Sequence, residues 1–174
     1  ANTYTGATTI SEGTLAVATL ANGGANSNIG ASSNAAANLV LNGGTLRYTG
    51  ASTTIDRSFT LSAGISSTID ISNAASNLTI SGAAASTTGA LVKAGPGTLT
   101  LTGSNLYSGS TTINAGTLAI GGGGTLGGGT YASTISNTGS LVINSTANQL
   151  ISGVISGSGS LLKANSGNLT LGTY

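Results

Sequence analysis

The 174 residues suffice for one domain with a full core, yet only seven of them are charged, four Lys or Arg and three Asp or Glu. This near-neutral balance excludes a phosphate-neutralising nucleic-acid binder. The absence of Cys and His removes disulfides, zinc sites, thiol chemistry and most nucleophile–base pairs. A hydrophobic share of 39% with a single proline argues against disorder, so Ser, Thr, Asn and Gly must cover the surface. No apolar run approaches the ~20 residues of a membrane span. No leader is recognisable, so the sequence reads as a mature chain or a segment.

In chain order the local pattern has period two, which predicts strands. Apolar pairs stand at Leu15/Val17, Leu39/Leu41, Leu46/Tyr48, Phe59/Leu61 and Ile69/Ile71. They continue at Leu78/Ile80, Leu99/Leu101, Leu118/Ile120, Leu141/Ile143 and Leu169/Leu171. Each pair encloses a mostly small or polar residue, so one side of every strand is buried and the other wet. The Ala-rich patches at 35–37 and 83–85 are too short for helices and read as loops or tight corners.

Predicted strand starts carry Gly followed by a small or polar residue and Leu, at Gly13, Gly44, Gly89, Gly97, Gly116, Gly124, Gly139, Gly159 and Gly167. Glycine provides the positive φ or the close approach that a sharp corner needs. From Gly97 the motif recurs after 19, 23 and 20 residues. Steps of 20–23 residues suit an all-β, three-sided parallel β-helix of about eight coils, a rod roughly 40 Å long at 4.7–4.9 Å per layer. Greek-key and meander sandwiches also contain many short strands, but they do not explain coil-length spacing.

The chain also repeats itself. NTYTGATTISEGTLAV at 2–17 returns as NLYSGSTTINAGTLAI at 105–120, with ten of sixteen positions identical. Solenoids are stacks of such similar layers. The segment 89–121, GALVKAGPGTLTLTGSNLYSGSTTINAGTLAIG, resembles the passenger-associated transport repeat of Gram-negative autotransporters. The segments 38–62 and 139–172 resemble sequence of those passengers as well. What the resemblance implies is a right-handed parallel β-helix, export to the cell surface, and adhesive or spacer roles. The family's C-terminal membrane β-barrel is not among these 174 residues, so no transport machinery and no membrane insertion are assigned to them.

Joined tail to head, 167–174 and 1–17 read GNLTLGTYANTYTGATTISEGTLAV. That rebuilds GTLTLTGSNLYSGSTTINAGTLAI of 97–120 with one extra residue. Neither end looks like the polar cap that covers a solenoid's open edge. The ends therefore predict one undivided solenoid segment, 1–174, that is one period of a tandem array or a subunit stacking head to tail into a fibre. An arbitrary boundary within an ordinary passenger is the alternative.

Candidate chemistry is sparse. Pectin-cleaving β-helix enzymes use clustered acids, but Glu12, Asp56 and Asp70 are the only carboxylates, and the last two are less than one coil apart. Asp56 beside Arg57 reads as a local turn pair and Asp70 as a turn or surface position. The glycine runs at 121–124 and 127–129 lack the Lys of a P-loop and the Asp of a calcium repeat, and read as a flexible protruding turn. Thr98/Thr100 suggests an ice-binding rank, but Ala16, Ala119, Arg47 and Val142 interrupt it on other coils.

Tyr4 and Tyr107 share one repeat position, with Tyr48, Tyr131, Tyr174 and Phe59 elsewhere. They read as corner residues with packed rings and wet hydroxyls, rather than sugar-stacking platforms. Lys93 and Lys163, each before Ala, read as equivalent solvent-facing positions. The sequons at Asn77, Asn144 and Asn168 read as turn or stacking asparagines, able to form ladders.

The expectation is a structural, non-enzymatic extracellular solenoid forming a surface stalk or fibre, with no catalytic, cofactor or metal residues. Such a rod resists trypsin and keeps its β signature over a wide pH range. Its partner is itself, head to tail, in tandem or by lateral packing of flat neutral faces. The alternative is an adhesin or carbohydrate-binding segment whose side loops, 21–37 or 121–131, contact host or matrix glycans.

Overall fold

A computed structural model describes residues 1–172. The chain coils through three faces in turn, and every strand pairing is parallel. Face 1 has seven strands: Thr14–Val17, Thr45–Tyr48, Ser66–Ile71, Ala90–Ala94, Thr111–Ile113, Ile135–Asn137 and Ile155–Ser156. Face 2 has six: Thr53–Ile55, Asn77–Ile80, Thr98–Leu101, Thr117–Gly122, Ser140–Ser145 and Ser160–Lys163. Face 3 is broken into short sheets. Thr8–Ile10, Leu39–Leu41 and Thr60–Leu61 open it, and the bridge from Phe59 to Ala84 continues it. Ser104–Asn105 then pairs with Thr125–Leu126, and Thr130–Tyr131 with Gln149–Ile151 and Leu169–Leu171. The all-β parallel β-helix expected from the sequence is the fold.

The number of coils differs from the expected eight. Six complete three-sided turns lie between a partial first and a partial last turn, which makes the stack ~30 Å long. Residues 18–38 account for much of the difference. They take the place of the first face-2 strand as a side excursion, so Thr14 pairs with Thr45 rather than with a residue about twenty further on. Within it, Ala36–Asn38 makes a single 3₁₀ turn, and the second Ala-rich patch contributes Ala84 to the bridge with Phe59.

Alternation in the strands builds the core as expected. Leu78, Leu99, Leu118 and Leu141 stack in register on face 2, with Ile80, Leu101, Ile120 and Ile143 in the next column. Each such side chain contributes about 1.5–3 kcal/mol by leaving water. All nine glycine motifs stand at or within two residues of a strand start. Only Gly13 and Gly116 among them have positive φ, so close approach between coils is the commoner reason for glycine. A Cβ on Gly116 would stand 2.3 Å from the Gly97 carbonyl, one on Gly139 2.5 Å from that of Gly116, and one on Gly159 2.4 Å from that of Gly139.

Candidate functional site

The three acids serve three separate places. Face-1 register sets Asp70 against Arg47, whose Nε donates to Asp70 Oδ2 at 2.7 Å. Asp70 Oδ1 is buried and makes no hydrogen bond to any described residue, lying where a Cβ on Gly95 would come within 2.2 Å. Asp56 follows a face-2 strand and accepts from Gly23 N at 2.7 Å and Asn34 Nδ2 at 3.3 Å. Glu12 is exposed at the corner before Gly13. Among the described residues no group of three acids could hold a metal ion.

Asp56 and Arg57 are not a local turn pair. Arg57 is buried and reaches back to the 18–38 excursion. Its Nε donates to Ala21 O at 2.8 Å, Nη1 to Ser32 O at 3.1 Å and Ser32 Oγ at 2.9 Å, and Nη2 to Gly30 O at 3.0 Å. Burial pushes this guanidinium's pKa down, while the negative charge of Asp56 and the phenol of Tyr4 oppose the shift. Arg57 and Asp56 thus pin the excursion from both sides, with Leu20 and Ile29 buried beneath it.

Lys93 is likewise turned inward rather than to solvent. Its Nζ donates to the carbonyls of Ala94 at 2.7 Å, Gly95 at 2.9 Å and Ala115 at 3.2 Å. Burial lowers its pKa to about 8, against the pull of Asp70. Lys163 repeats the grip on Ala164 O at 2.6 Å and Asn165 O at 2.8 Å. Lys93 is on face 1 and Lys163 on face 2, so the two lysines share a motif but not a face.

The tyrosine hydroxyls are bonded rather than wet. Thr111 Oγ1 stands 2.8 Å from Tyr107 OH and 2.7 Å from Tyr131 OH, and Tyr131 OH donates to Gly109 O. The two rings meet edge-on at 5.9 Å. Burial raises the Tyr107 pKa well above its ordinary value and that of Tyr131 to about 12. Tyr48 OH donates to Ala51 O at 2.6 Å, and burial raises its pKa too. Tyr4 keeps the bond to the threonine four residues on, Thr8 Oγ1 at 2.7 Å, but its ring is exposed. Tyr174 lies outside the described residues.

The glycine runs do not protrude. Gly121 and Gly122 extend a face-2 strand opposite Asn144 and Ser145, and Gly127–Gly129, all at positive φ, makes one left-handed 3₁₀-type turn. Gln149 clamps the intervening chain: Leu126 N donates to its Oε1 at 2.7 Å and its Nε2 donates to Leu126 O at 3.1 Å. The sequon asparagines form no ladder among themselves, since Asn77 faces Thr98 and Asn144 faces Gly121. Outward threonines run for three face-2 strands, Thr54, Thr79 and Thr100, before Ala119, Val142 and Leu162 replace them. Neither Arg57 nor Gln149 was singled out from the sequence as an anchor, although each stands two residues from an inward apolar side chain.

The described residues thus define a parallel β-solenoid in which Arg57, Lys93, Gln149 and the buried tyrosines bond to main chain and hydroxyls of their own and neighbouring coils, and Asp70 Oδ1 stands unpaired. Residues 1–17 and 91–120 match the family model "Passenger-associated-transport-repeat". Over 170 residues the chain is 48% identical to the "Adhesin BmaC autotransporter" of Brucella suis biovar 1 (strain 1330), which covers 97% of this chain and 5% of that protein. The chain therefore spans about one twentieth of the length of its curated relative. No solved structure matches it. The chain belongs to the repeat-bearing passenger β-helices of autotransporters, exported proteins of the Gram-negative cell surface. No helix among the described residues is long and apolar enough to cross a membrane.

Proposed function

We propose that this chain is a structural, non-enzymatic segment that gives a surface-exposed passenger length and stiffness, as one stretch of a stalk or fibre. The observation carrying this reading is the uninterrupted parallel ladder on face 2, where six strands pair in order from Thr53 to Lys163. Bending such a stack at any coil would break hydrogen bonds and open the apolar column beside them. The four basic residues that trypsin could cut are held as well. Arg57 and Lys93 are buried, Arg47 is paired with Asp70, and Lys163 grips two carbonyls. Trypsin should leave the native chain intact for hours under conditions that digest it once it is denatured. Rapid cleavage of the native rod would defeat the proposal.

An adhesive role is the second reading. It is supported by the name of the Brucella relative and by the 18–38 excursion, which Arg57 and Asp56 hold in one shape. Host or matrix glycans are the partners to test. Binding on a glycan array that disappears when 21–37 is shortened would favour adhesion over a spacer role.

A further inference from the structure

One sequence motif occupies different faces at different heights of the stack. Leu91, Val92 and Lys93 lie on face 1 and Thr98–Leu101 on face 2. Their counterparts Leu161, Leu162 and Lys163 lie on face 2, and Leu169–Leu171 on face 3. At the head the displacement is opposite. Thr111–Ile113 and Thr117–Gly122 are on faces 1 and 2, whereas Thr8–Ile10 and Thr14–Val17 are on faces 3 and 1.

Within the chain, the motif's two halves cover each other. Thr111, Thr112 and Ile113 stack on Leu91, Val92 and Lys93, and Thr117 to Ile120 stack on Thr98 to Leu101. At the C-terminal edge the first half has no such cover among the described residues. Leu161 and Leu171 are 39% and 49% exposed, where their counterparts Leu91 and Leu101 are 0% exposed. Ile151, Gly153, Ile155, Leu171 and Gly172 line a cleft on this edge. Lys163 holds two carbonyls where Lys93 holds three, and the third belongs to Ala115 in the covering half.

The segment with the covering sequence is 2–17, and it is bare on its own side. Tyr4 is 43% exposed against 0% for Tyr107. Glu12 occupies the place of Ala115, so the edge holding the cation Lys163 would receive a carboxylate.

We propose that the C-terminal edge takes segment 2–17 of a second copy as its next coil, turned by one face relative to the first. The register sets Thr8, Thr9 and Ile10 of the second copy on Leu161, Leu162 and Lys163, and Thr14 on Asn168. Thr8–Ile10 then lies on face 2 instead of face 3, and the 18–38 excursion leaves from a different corner in each copy. It returns to its first side at the fourth copy. This deepens the stalk reading and rests on it: the excursions wind around the rod instead of forming one row.

The chain has no cysteine, so introduced pairs report the register cleanly. The test uses two full chains in direct tandem, Tyr174 joined to Ala1, with Leu162→Cys in the first and Thr9→Cys in the second. Paired parallel strands place Cα atoms about 5 Å apart, within disulfide range. Mild oxidation should cross-link most of this protein and leave the control, Thr170→Cys with Thr9→Cys, at background. The control pair is the one that a copy stacked without rotation would bring together.

Disulfide formation in the control, or in neither pair while the β signature is intact, overturns the register. If the tandem fails to fold, mixing single-cysteine chains tests the same two pairs. Imaging keeps this separate from the stalk reading. A long stiff rod with the control disulfide would sink the rotation and spare the stalk, and a flexible particle with the Leu162–Thr9 disulfide would do the reverse.

Discussion

Replacing Arg57 with Met should release the 18–38 excursion while leaving the coil stack standing. The guanidinium donates to three main-chain carbonyls at 2.8–3.1 Å, those of Ala21, Gly30 and Ser32. If the excursion stayed in place, Ala21 O would be stranded at a cost of about 1–3 kcal/mol, and Ser32 O and Gly30 O, which keep Gly24 N and Ser27 Oγ as donors, would each lose a charge-assisted bond of about 1.5–3 kcal/mol. The loss falls on the closed form alone, because opening hydrates these carbonyls, so opening becomes easier by that amount, while the two buried apolar side chains Leu20 and Ile29, at about 1.5–3 kcal/mol each, still oppose it. The opening should therefore be local. The amides of Gly24, Asn28 and Ala31, which bond to Ser32 O, Thr19 O and Tyr4 O, report it by hydrogen exchange. Their protection should fall by ~100-fold or more, since about 1.4 kcal/mol corresponds to a factor of ten. Amides of the strand Thr98–Leu101 should not change. Arg57→Lys should rescue little, because one ammonium cannot span carbonyls from Ala21 to Ser32. Unchanged exchange at those three amides, or equal loss through the whole stack, would refute the reasoning.

Alkaline stability should be set by the buried phenols. Tyr107 and Tyr131 stay protonated in the folded stack above the pH near 10 at which unfolded tyrosines ionise, so stability is lost as pH rises from there towards the Tyr131 value of about 12. The loss from Tyr131 reaches about 2 kcal/mol at pH 12; thermal melts from pH 8 to 12 should show it, and Tyr131→Phe should flatten the decline. Thr111→Val should lower stability by about 1–3 kcal/mol, because it strips a partner from two buried phenols; a urea midpoint equal to that of the parent would contradict this. Gly116→Ala should destabilise strongly, with φ at +62° and the new Cβ 2.3 Å from Gly97 O, whereas Gly123→Ala meets nothing within 4 Å and should leave the melting temperature within a degree or two. Equal melting temperatures for the two alanine variants would show that coils do not approach as closely at the glycine column as described.

Period-two alternation made the strands legible, and the spacing of Gly97, Gly116, Gly139 and Gly159 matched the face-2 register from Thr98 through Thr117 and Ser140 to Ser160. The coil count was not legible in the same way. Residues 18–38 have the same Ala, Asn, Ser and Gly composition as the coils, and only Arg57, thirty-odd residues away, shows that they fold aside. The inward polar residues were misread although the signal was present. Ile55, Arg57, Phe59 and Leu61 alternate without a break, and so do Leu91 and Lys93. The charged neighbour Asp56 suggests a turn pair for Arg57 and charge suggests solvent for Lys93, but the alternation puts both inside. Alternation is the stronger guide in a stack, because reversing one side chain would shift every later residue to the opposite side.

The few charges are arranged to hold irregular chain to regular chain. A parallel ladder satisfies its own backbone, so polar anchors are needed only where a coil leaves the ladder. Arg57 gathers the carbonyls of the excursion, Lys93 and Lys163 gather those of tight corners, and Gln149 closes the 3₁₀ segment. The donors are long side chains, so each can cross from one coil to the carbonyls of another or of a nearby corner. A charge of this kind is costly to bury, and it stays only because it meets several acceptors at once. The outward faces need no such anchors and can be covered by neutral Thr, Ser and Asn, which neither titrate near neutral pH nor respond to ionic strength. A chain with seven charges can thus be insensitive to salt overall and still depend sharply on two of them, Arg57 and Lys93, for the shape of its corners.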